Sequence, residues 1–271
     1  MPSRPLRTTM AALTIAASVL ALAGCAPEPD EGAMSTAPAP SAPPESRAAA
    51  ETSAPAGSDA SADPPEAPEF DRSAHSLDDP MSLWVVTNKQ RALQPADFAP
   101  TDLVRPEGVE NEFDQPLREP AARAVEALVG AAAAEGLDVR IISAYRDYST
   151  QAALYDGYVA RDGQEAADTY SARPGHSEHQ TGLAVDFDDS GACYLAACFG
   201  QTPAGVWLAE HAAEYGFVVR YPDGKEHVTG FMPEPWHFRF VGTDLAQHLR
   251  DSGVSTLEEF FELPSAPGYA P

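Results

Sequence analysis

The sequence SEHQTGLAVDF, residues 177 to 187, carries the clearest structural signal in the chain. Its second half, GLAVDF, alternates in polarity as a half-buried β-strand does, which predicts a strand over residues 183 to 187. Two side chains of the metal-binding type, His179 and Asp186, are seven residues apart with Gly182 between them. A catalytic zinc ion takes three protein ligands, mostly His and carboxylate, and keeps a fourth position for water. This stretch therefore supplies two ligands, and a third is needed.

A second segment, EPWHFRF at residues 234 to 240, offers that ligand in His237. Glu234 precedes His237 by three residues. A carboxylate so near a ligand can lie beside the metal's water without binding the metal, which is the position that a general base needs. We therefore predict His179, Asp186 and His237 as zinc ligands and Glu234 as the general base.

The two segments together resemble the VanY-type D-alanyl-D-alanine carboxypeptidases and the similar L,D-carboxypeptidases of cell-wall metabolism. The pattern of these enzymes is SxHxxGxAxD, followed later in the chain by ExxWH. The matching residues are Ser177, His179, Gly182, Ala184 and Asp186 in the first part and Glu234, Trp236 and His237 in the second. Flanking segments such as SAYRDYSTQ at residues 143 to 151 agree as well, so the resemblance covers residues 88 to 242.

The resemblance implies a function and further site residues. The implied enzyme uses Zn²⁺ to remove the C-terminal D-alanine from the stem peptides of peptidoglycan. Arg146 would stabilise the developing oxyanion or hold the substrate's terminal carboxylate, since a guanidinium presents a rigid fork to oxygen. The alternative for Arg146 is an ion pair with Asp147 or another neighbour. Ser177, Gln151 and Tyr145 are the expected substrate contacts.

Other functions remain open on the same scaffold. An L,D-carboxypeptidase acting on a tetrapeptide stem, or a D,D-dipeptidase acting on free dipeptide, would keep the metal and change the bond. A non-catalytic lipoprotein that binds the wall is a third possibility, because the same fold and zinc site recur in Hedgehog signalling domains. The presence of both Glu234 and Arg146 favours an enzyme over that possibility.

The fold predicted for residues 81 to 263 is a single α+β domain with a largely antiparallel sheet flanked by helices, of the Hedgehog and D-Ala-D-Ala peptidase type. Strands and helices occur without regular βαβ alternation, which favours this class. Hydrophobic spacing predicts helices at 120–135, 149–159 with Ser149 as cap, 204–215 and 244–251, and strands at 83–86, 139–143, 183–187, 217–221 and 236–241.

The N-terminal region predicts export. Residues 1 to 24 have basic residues, then an apolar run too short to span a bilayer, as in a signal peptide. The sequence LAGC ending at Cys25 resembles a bacterial lipobox, so Cys25 is the expected lipidation site and the outer face of the cell membrane the expected location. An ordinary signal peptide with a chance cysteine is the alternative. Residues 25 to 80, rich in Ala, Pro, Ser and acidic residues, are predicted to be a disordered tether, and residues 264 to 271 a C-terminal tail.

Charge and the two remaining cysteines complete the prediction. A formal net charge of -24 argues against a nucleic-acid partner, whose phosphates require a basic surface. Cys193 and Cys198 are five residues apart, and outside the cytoplasm such a pair predicts a disulfide that closes a short loop. Zinc binding by both thiolates is the weaker alternative, since no CxxC spacing is present.

Overall fold

The computed structural model describes residues 70 to 270. The predicted signal peptide, the lipidation site Cys25 and the tether up to residue 69 lie outside the described residues. Within residues 70 to 270, no helix combines the length and the apolar character needed to cross a membrane.

The described chain forms six strands and seven α-helices, with three short 3₁₀ turns between them. In chain order these are β1 (Leu103–Val104), β2 (Leu117–Arg118), α1 (Glu119–Ala134), β3 (Arg140–Ser143), α2 (Tyr148–Asp162), α3 (Gln164–Ala167), β4 (Ala184–Asp188), α4 (Pro203–His211), β5 (Phe217–Tyr221), α5 (Glu226–Thr229), β6 (Glu234–Phe240), α6 (Thr243–Ser252) and α7 (Leu257–Phe260). The 3₁₀ turns are Glu178–Thr181, Ala197–Gln201 and Ala212–Tyr215.

The main sheet has four strands in the order β3-β4-β6-β5, and every neighbouring pair is antiparallel. Strands β1 and β2 form a separate antiparallel pair. With helices packed around the sheet, the predicted α+β class is confirmed. Helix α1 buries one apolar stripe against the sheet, made of Ala121, Ala122, Val125, Leu128, Val129 and Ala132.

Alternation along β4 separates the two faces of the sheet. Val185 and Phe187 are fully buried and belong to the main hydrophobic core, together with Phe238 of the neighbouring strand β6. Asp186, between them in sequence, points to the opposite face. That opposite face carries the metal-binding side chains, so one face of the sheet packs the core and the other presents the site.

The expected strand at residues 83 to 86 is wrong. This segment is irregular, and its carbonyl groups pair with a side chain instead of a neighbouring strand. Arg239 donates from Nη2 to the carbonyl oxygens of Val85 at 2.7 Å and Leu83 at 3.1 Å. Trp84 donates from Nε1 to the Val241 carbonyl at 2.9 Å. Apolar residues close together predicted a strand, but tertiary contacts with a buried arginine override that preference.

The observed helix bounds differ from the predicted ones by one to four residues, and two of the differences have a local cause. Helix α2 starts one residue earlier than expected, because Asp147 and not Ser149 is the N-cap, its carboxylate accepting from the Thr150 amide at 2.7 Å. Helix α4 ends at His211, and residues 212–215 continue as a 3₁₀ turn up to Gly216. A change from α-helical to 3₁₀ geometry at a helix end hardly alters the hydrophobic spacing. The sequence therefore could not show where α4 ends and the 3₁₀ turn begins.

Packed structure begins before the predicted boundary at residue 81. The Phe70 ring stacks on the His248 ring with centroids 4.4 Å apart and lies 5.7 Å from the Trp84 ring. The Leu77 carbonyl accepts from the Val86 amide at 3.1 Å and from the Arg91 guanidinium at 2.9 Å. Residues 70 to 80 therefore belong to the domain, and the tether prediction applies only to the residues before them.

The predicted C-terminal tail also packs against the domain. Ala266 is fully buried, and its amide donates to the Val228 carbonyl at 2.7 Å. The Tyr269 hydroxyl accepts from the Arg173 amide at 2.7 Å, and the Arg173 guanidinium lies 4.1 Å from the centre of the Tyr269 ring. Isolated small and polar residues predicted a free tail because the groups that hold it are far away in the sequence.

Deleting residues 264 to 271 is expected to lower the free energy of unfolding by about 2–3 kcal/mol, since the deletion removes one buried hydrogen bond, one partly buried hydrogen bond and a cation–π contact. The expected fall in Tm is about 4–12 °C, measured by differential scanning calorimetry. Removing only Ala270 and Pro271 is the control and should leave Tm unchanged. Equal Tm values for the full chain and the longer deletion would show that the tail contacts do not stabilise the domain.

Candidate active site

The site lies in a cleft with a cavity volume of about 360 Å³ on the face of the sheet opposite the main core. Both predicted motifs reach it, together with side chains from α2 and from the loops around residues 170, 195 and 232. Its lining includes His179, Asp186, Glu234, His237, Arg146 and Ser177. The sequence had placed all six in the site, and the fold brings them together.

The register of β4 against β6 positions two of the three predicted ligands. Asp186 and His237 are direct partners across this antiparallel pair. Directly opposite residues have their Cβ atoms close together on the same face of a sheet. The carboxylate Oδ1 of Asp186 consequently lies 3.0 Å from Nδ1 of His237. One pair of strands thus brings together Asp186 and His237, which are 51 residues apart in the sequence.

The third predicted ligand, His179, belongs to the 3₁₀ turn that leads into β4. The turn ends at Gly182, whose φ is +68°, a backbone region that favours glycine. A Cβ atom added at Gly182 would also lie 2.9 Å from Cγ of Arg118. Glycine is therefore required here, both for the backbone angle and for the close approach of β2, and this turn sets Nε2 of His179 at 3.3 Å from Oδ2 of Asp186.

Hydrogen bonds leave one nitrogen of each imidazole free for a metal. Nδ1 of His179 lies 2.7 Å from the carbonyl oxygen of Ala144, which can only accept, so Nδ1 carries the proton and Nε2 has the lone pair. Nε2 of His237 faces Oε2 of Glu178 at 3.5 Å, so Nδ1 is the nitrogen left to bind a metal. In both residues the free nitrogen is the one that faces Asp186.

The three groups fit a divalent metal ion. One ligand atom from each of His179, Asp186 and His237 lies within 4.8 Å of the others, and all three residues are buried. Although Oδ1 of Asp186 approaches His237, it forms no hydrogen bond with any residue between 70 and 270. Buried oxygen and nitrogen atoms directed at one point are what a cation binds, and two imidazoles with a carboxylate suit zinc.

Glu234 reaches the same cleft because of an irregularity in β6. Tyr221 pairs with Glu234 and Val219 pairs with Phe238, so a bulge on β6 includes Pro235, Trp236 and His237. Without the bulge, residues three apart would point to opposite faces of the sheet. With it, Oε2 of Glu234 lies 3.8 Å from Nδ1 of His237.

The two acidic side chains of the site have opposite pKa shifts. Burial raises the pKa of Glu234 to about 8, with His237 opposing the rise and Asp186 adding to it. Burial also acts to raise the pKa of Asp186, but the imidazoles of His179 and His237 outweigh it and lower the pKa well below its ordinary value. Asp186 is therefore a fixed anion suited to binding metal, whereas Glu234 can accept and return a proton near neutral pH.

Arg146 follows β3 and lies in the cleft lining beside these carboxylates. Its Nε atom is buried and has no hydrogen-bond partner among residues 70 to 270. Burial lowers the pKa of Arg146, while Asp186 and Glu234 act to raise it. The alternative of an ion pair with Asp147 is not realised, since the carboxylate of Asp147 caps α2. A guanidinium with an unused donor in the cleft suits an anionic group of a ligand.

The remaining predicted substrate contacts differ in position. Ser177 lines the cleft, whereas neither Gln151 nor Tyr145 is part of its lining. Gln151 is buried behind the wall, where its amide donates to the Ala172 carbonyl at 2.6 Å, and its Oε1 has no partner within the described residues. Tyr145 is half-buried, and its amide donates to the Pro116 carbonyl at 3.0 Å. Cys193 and Cys198 form a disulfide, which excludes the alternative of zinc-binding thiolates.

A buried charge network beneath His237 was not predicted from the sequence. Oε1 of Glu178 accepts from Arg220 at 2.8 Å and from Arg239 at 2.9 Å, and Arg220 forms a forked pair with Glu258 at 2.7 and 3.0 Å. All four side chains are no more than 1% exposed. Burial acts to raise the pKa of Glu178, but the two guanidinium groups lower it well below its ordinary value. Glu178 is therefore an anion that accepts a hydrogen bond from Nε2 of His237 and orients the ring.

One feature of the sequence could have indicated this network. Arg220 and Arg239 stand in otherwise apolar strand segments, FVVRY and HFRF. An arginine in a buried strand requires a buried acidic partner, because an unpaired charge there is very costly. The partners themselves, Glu178 and Glu258, could not be identified without the fold.

Replacing Glu178 with Gln is expected to weaken zinc binding about 10- to 100-fold, because the amide orients His237 less firmly and lowers its basicity. Competition with a fluorescent zinc chelator measures the affinity. Glu258→Gln is the matched control, since it disturbs the same network without contacting His237. Equal zinc affinities for the two variants would show that Glu178 serves only the stability of the network.

Comparison with known proteins agrees with this geometry. The family model described as VanY, D-alanyl-D-alanine carboxypeptidase, matches residues 114–243. The bifunctional D-Ala-D-Ala dipeptidase and carboxypeptidase VanXYC of Enterococcus gallinarum is 34% identical over 158 residues, which cover 56% of this chain and 80% of that protein.

Solved structures with similar sequences share the fold. The LdcB LD-carboxypeptidase, studied for its peptidoglycan recognition, superposes with a TM-score of 0.63 at 40% identity, over 69% of this chain and 88% of that one. A vancomycin-resistance D,D-pentapeptidase VanY in complex with Zn(II) superposes with a TM-score of 0.56 at 30% identity, over 66% of this chain and 98% of that one. With its His, Asp and His metal site, the chain belongs to the VanY family of zinc-dependent D-alanyl-D-alanine carboxypeptidases.

Proposed function

We propose that this enzyme removes the C-terminal D-alanine from peptidoglycan stem peptides, with Glu234 as general base. The observation that carries the proposal is the position of the Glu234 carboxylate. It lies 3.8 Å from the metal-facing nitrogen of His237 and is not one of the three groups that converge on the metal position. A carboxylate in that position can exchange protons with a water molecule that attacks a carbonyl carbon.

The side chains divide the work of the reaction between them. When bound, zinc acidifies a water molecule and polarises the scissile carbonyl. Glu234 takes the proton of that water and returns it to the leaving amine, a role that its raised pKa of about 8 supports. Arg146 holds the terminal carboxylate of the substrate or the developing oxyanion, and Ser177 is positioned in the cleft to contact the peptide.

An L,D-carboxypeptidase activity is the second candidate. It is favoured by the higher sequence identity to the LdcB LD-carboxypeptidase, 40%, than to the D,D-pentapeptidase VanY, 30%. The two activities share the metal, the base and the C-terminal D-alanine. They differ in the configuration of the residue before the scissile bond, and therefore in the contacts outside the metal centre.

We also propose that the enzyme is anchored by a lipid at Cys25 to the outer face of the bacterial cell membrane. The LAGC sequence and the apolar run before it support the anchor. Residues 26 to 69, rich in Pro, Ala and Ser, would keep the domain at a distance from the membrane and within reach of the wall. Metabolic labelling with a radioactive or clickable fatty acid, compared between the natural chain and Cys25→Ala, tests this part. Equal labelling of both would contradict it.

Glu234→Gln is expected to lower kcat about 10²- to 10⁴-fold while zinc remains bound, because the amide cannot accept a proton. D-alanine release from a pentapeptide gives kcat, and inductively coupled plasma mass spectrometry gives the zinc content. Glu226→Gln, an exposed Glu in α5 outside the cleft, is the matched control and should behave like the natural enzyme. A zinc-loaded Glu234→Gln protein with normal turnover would disprove the role of Glu234.

Three substrates separate the candidate activities: a pentapeptide stem, a tetrapeptide stem and free D-Ala-D-Ala. We expect loss of one alanine from the pentapeptide, detected by mass spectrometry of purified muropeptides with and without a chelator. Cleavage of the tetrapeptide alone would select the L,D-activity, and cleavage of D-Ala-D-Ala alone the dipeptidase. Chelator-resistant cleavage, or none of the three, would contradict a zinc carboxypeptidase.

A further inference from the structure

The loop closed by the Cys193–Cys198 disulfide forms part of the cleft wall. Leu195, inside the loop, lines the same cleft as the metal-binding residues. The loop is attached firmly at both ends, since Cys193 packs against the main core and Phe199, immediately after Cys198, is fully buried in it. The position of Leu195 in the cleft wall is therefore fixed by the fold and by the disulfide.

Leu195 combines two features that are unfavourable without a ligand. Its side chain is 43% exposed, although leucine is among the residues most often buried. Its φ is +47°, a region that costs a non-glycine residue of this size conformational energy. Backbone strain of this kind persists when the surrounding structure enforces it, and it occurs often at ligand-binding positions. The loop thus presents an apolar side chain to solvent at the mouth of a substrate cleft.

A second exposed apolar side chain lines the cleft from another part of the chain. Met232 is 40% exposed and precedes β6, and its amide donates to the Thr169 carbonyl at 2.9 Å. Leu154, from α2, and Phe231 also contribute to the lining. The cleft therefore has apolar surface beyond the charged centre made by Glu234 and the metal-binding groups.

The chemistry of the proposed reaction assigns this surface to one side of the scissile bond. The leaving D-alanine has only a methyl group and a carboxylate, and Arg146 can hold the carboxylate. One methyl group does not fill a surface that includes Leu195 and Met232. A residue on the N-terminal side of the bond can fill it if its side chain is a long run of methylene groups. The diamino acid at the third position of the stem has such a side chain, and it lies directly before the bond in a tetrapeptide stem and one residue further away in a pentapeptide stem.

We propose that Leu195, held by the Cys193–Cys198 disulfide, binds the aliphatic side chain of a stem-peptide residue on the N-terminal side of the scissile bond and so selects the substrate. This inference rests on the proposed carboxypeptidase function and adds a specificity-determining residue to it. Burial of methylene groups against Leu195 and Met232 provides the affinity. Leu195 takes no part in the chemical step, so its effect falls on substrate affinity and not on kcat.

A double-mutant cycle between enzyme and substrate tests the contact directly. The two substrates are pentapeptide stems with either L-lysine or L-alanine at the third position. With the lysine peptide, Leu195→Ala is expected to raise KM about tenfold at unchanged kcat, and with the alanine peptide the natural enzyme and the variant should be nearly equal. The control is Val206→Ala on α4, whose side chain is also 43% exposed but does not line the cleft.

The disulfide is tested by the double variant Cys193→Ala/Cys198→Ala. This variant is expected to show the same rise in KM for the lysine peptide, while its zinc content and kcat remain those of the natural enzyme. The inference would be overturned if Leu195→Ala had the same KM values as Val206→Ala, or if its KM rose equally for both peptides. In the latter case Leu195 would serve the folding of the loop and not the recognition of a side chain.

Binding measurements keep this result separate from the proposed function. Calorimetric affinities for both peptides are measured in the zinc-loaded Glu234→Gln protein, with and without Leu195→Ala. If the natural enzyme cleaves neither peptide but the lysine peptide binds in a Leu195-dependent manner, the proposed function fails and the inference stands. If the enzyme cleaves both peptides and the affinities do not depend on Leu195, the inference fails and the proposed function stands.

Discussion

The antiparallel pairing of β4 with β6 is the constraint on which the site depends. It places Asp186 directly opposite His237 and so brings together residues that are far apart in the chain. A slip of one residue would turn Asp186 toward the core and expose Val185 or Phe187 to the cleft, because side chains alternate between the faces of a sheet. Burial of those two side chains in the core therefore also secures the geometry of the metal site.

A network of buried charged side chains lies next to the metal ligands, in an environment where an unpaired charge would be very unfavourable. Two arginines and two glutamates, Arg220, Arg239, Glu178 and Glu258, are buried together and balance one another. An ion pair of this kind does not by itself make a fold more stable than an apolar core would. Its value here is orientation, since the network supplies a fixed anion to the outer nitrogen of His237 and holds the irregular segment around Val85 against the sheet.

Electrostatics then distinguishes two carboxylates that lie close together in one cleft. Asp186 is held as an anion by the neighbouring imidazoles, and Glu234 has its pKa raised by burial. This difference in pKa between Asp186 and Glu234 arises from position and not from residue type. The bulge in β6 puts Glu234 beside His237 but outside the set of converging ligand atoms. In the proposed reaction, metal binding and proton transfer therefore belong to different carboxylates of the same cleft.

The sequence by itself determined the three residues of the metal site, the Cys193–Cys198 disulfide and the α+β class. These were predictable because short motifs and local hydrophobic periodicity carry them. Only the tertiary structure decided which residues support the metal site. The partners of Glu178 are 42 and 61 residues away, and the domain extends to Phe70 and Tyr269 through contacts with distant side chains. Hydrophobic periodicity shows which face of a helix or strand is buried. It does not show which distant residues pack against that face, because those contacts form only in the tertiary structure.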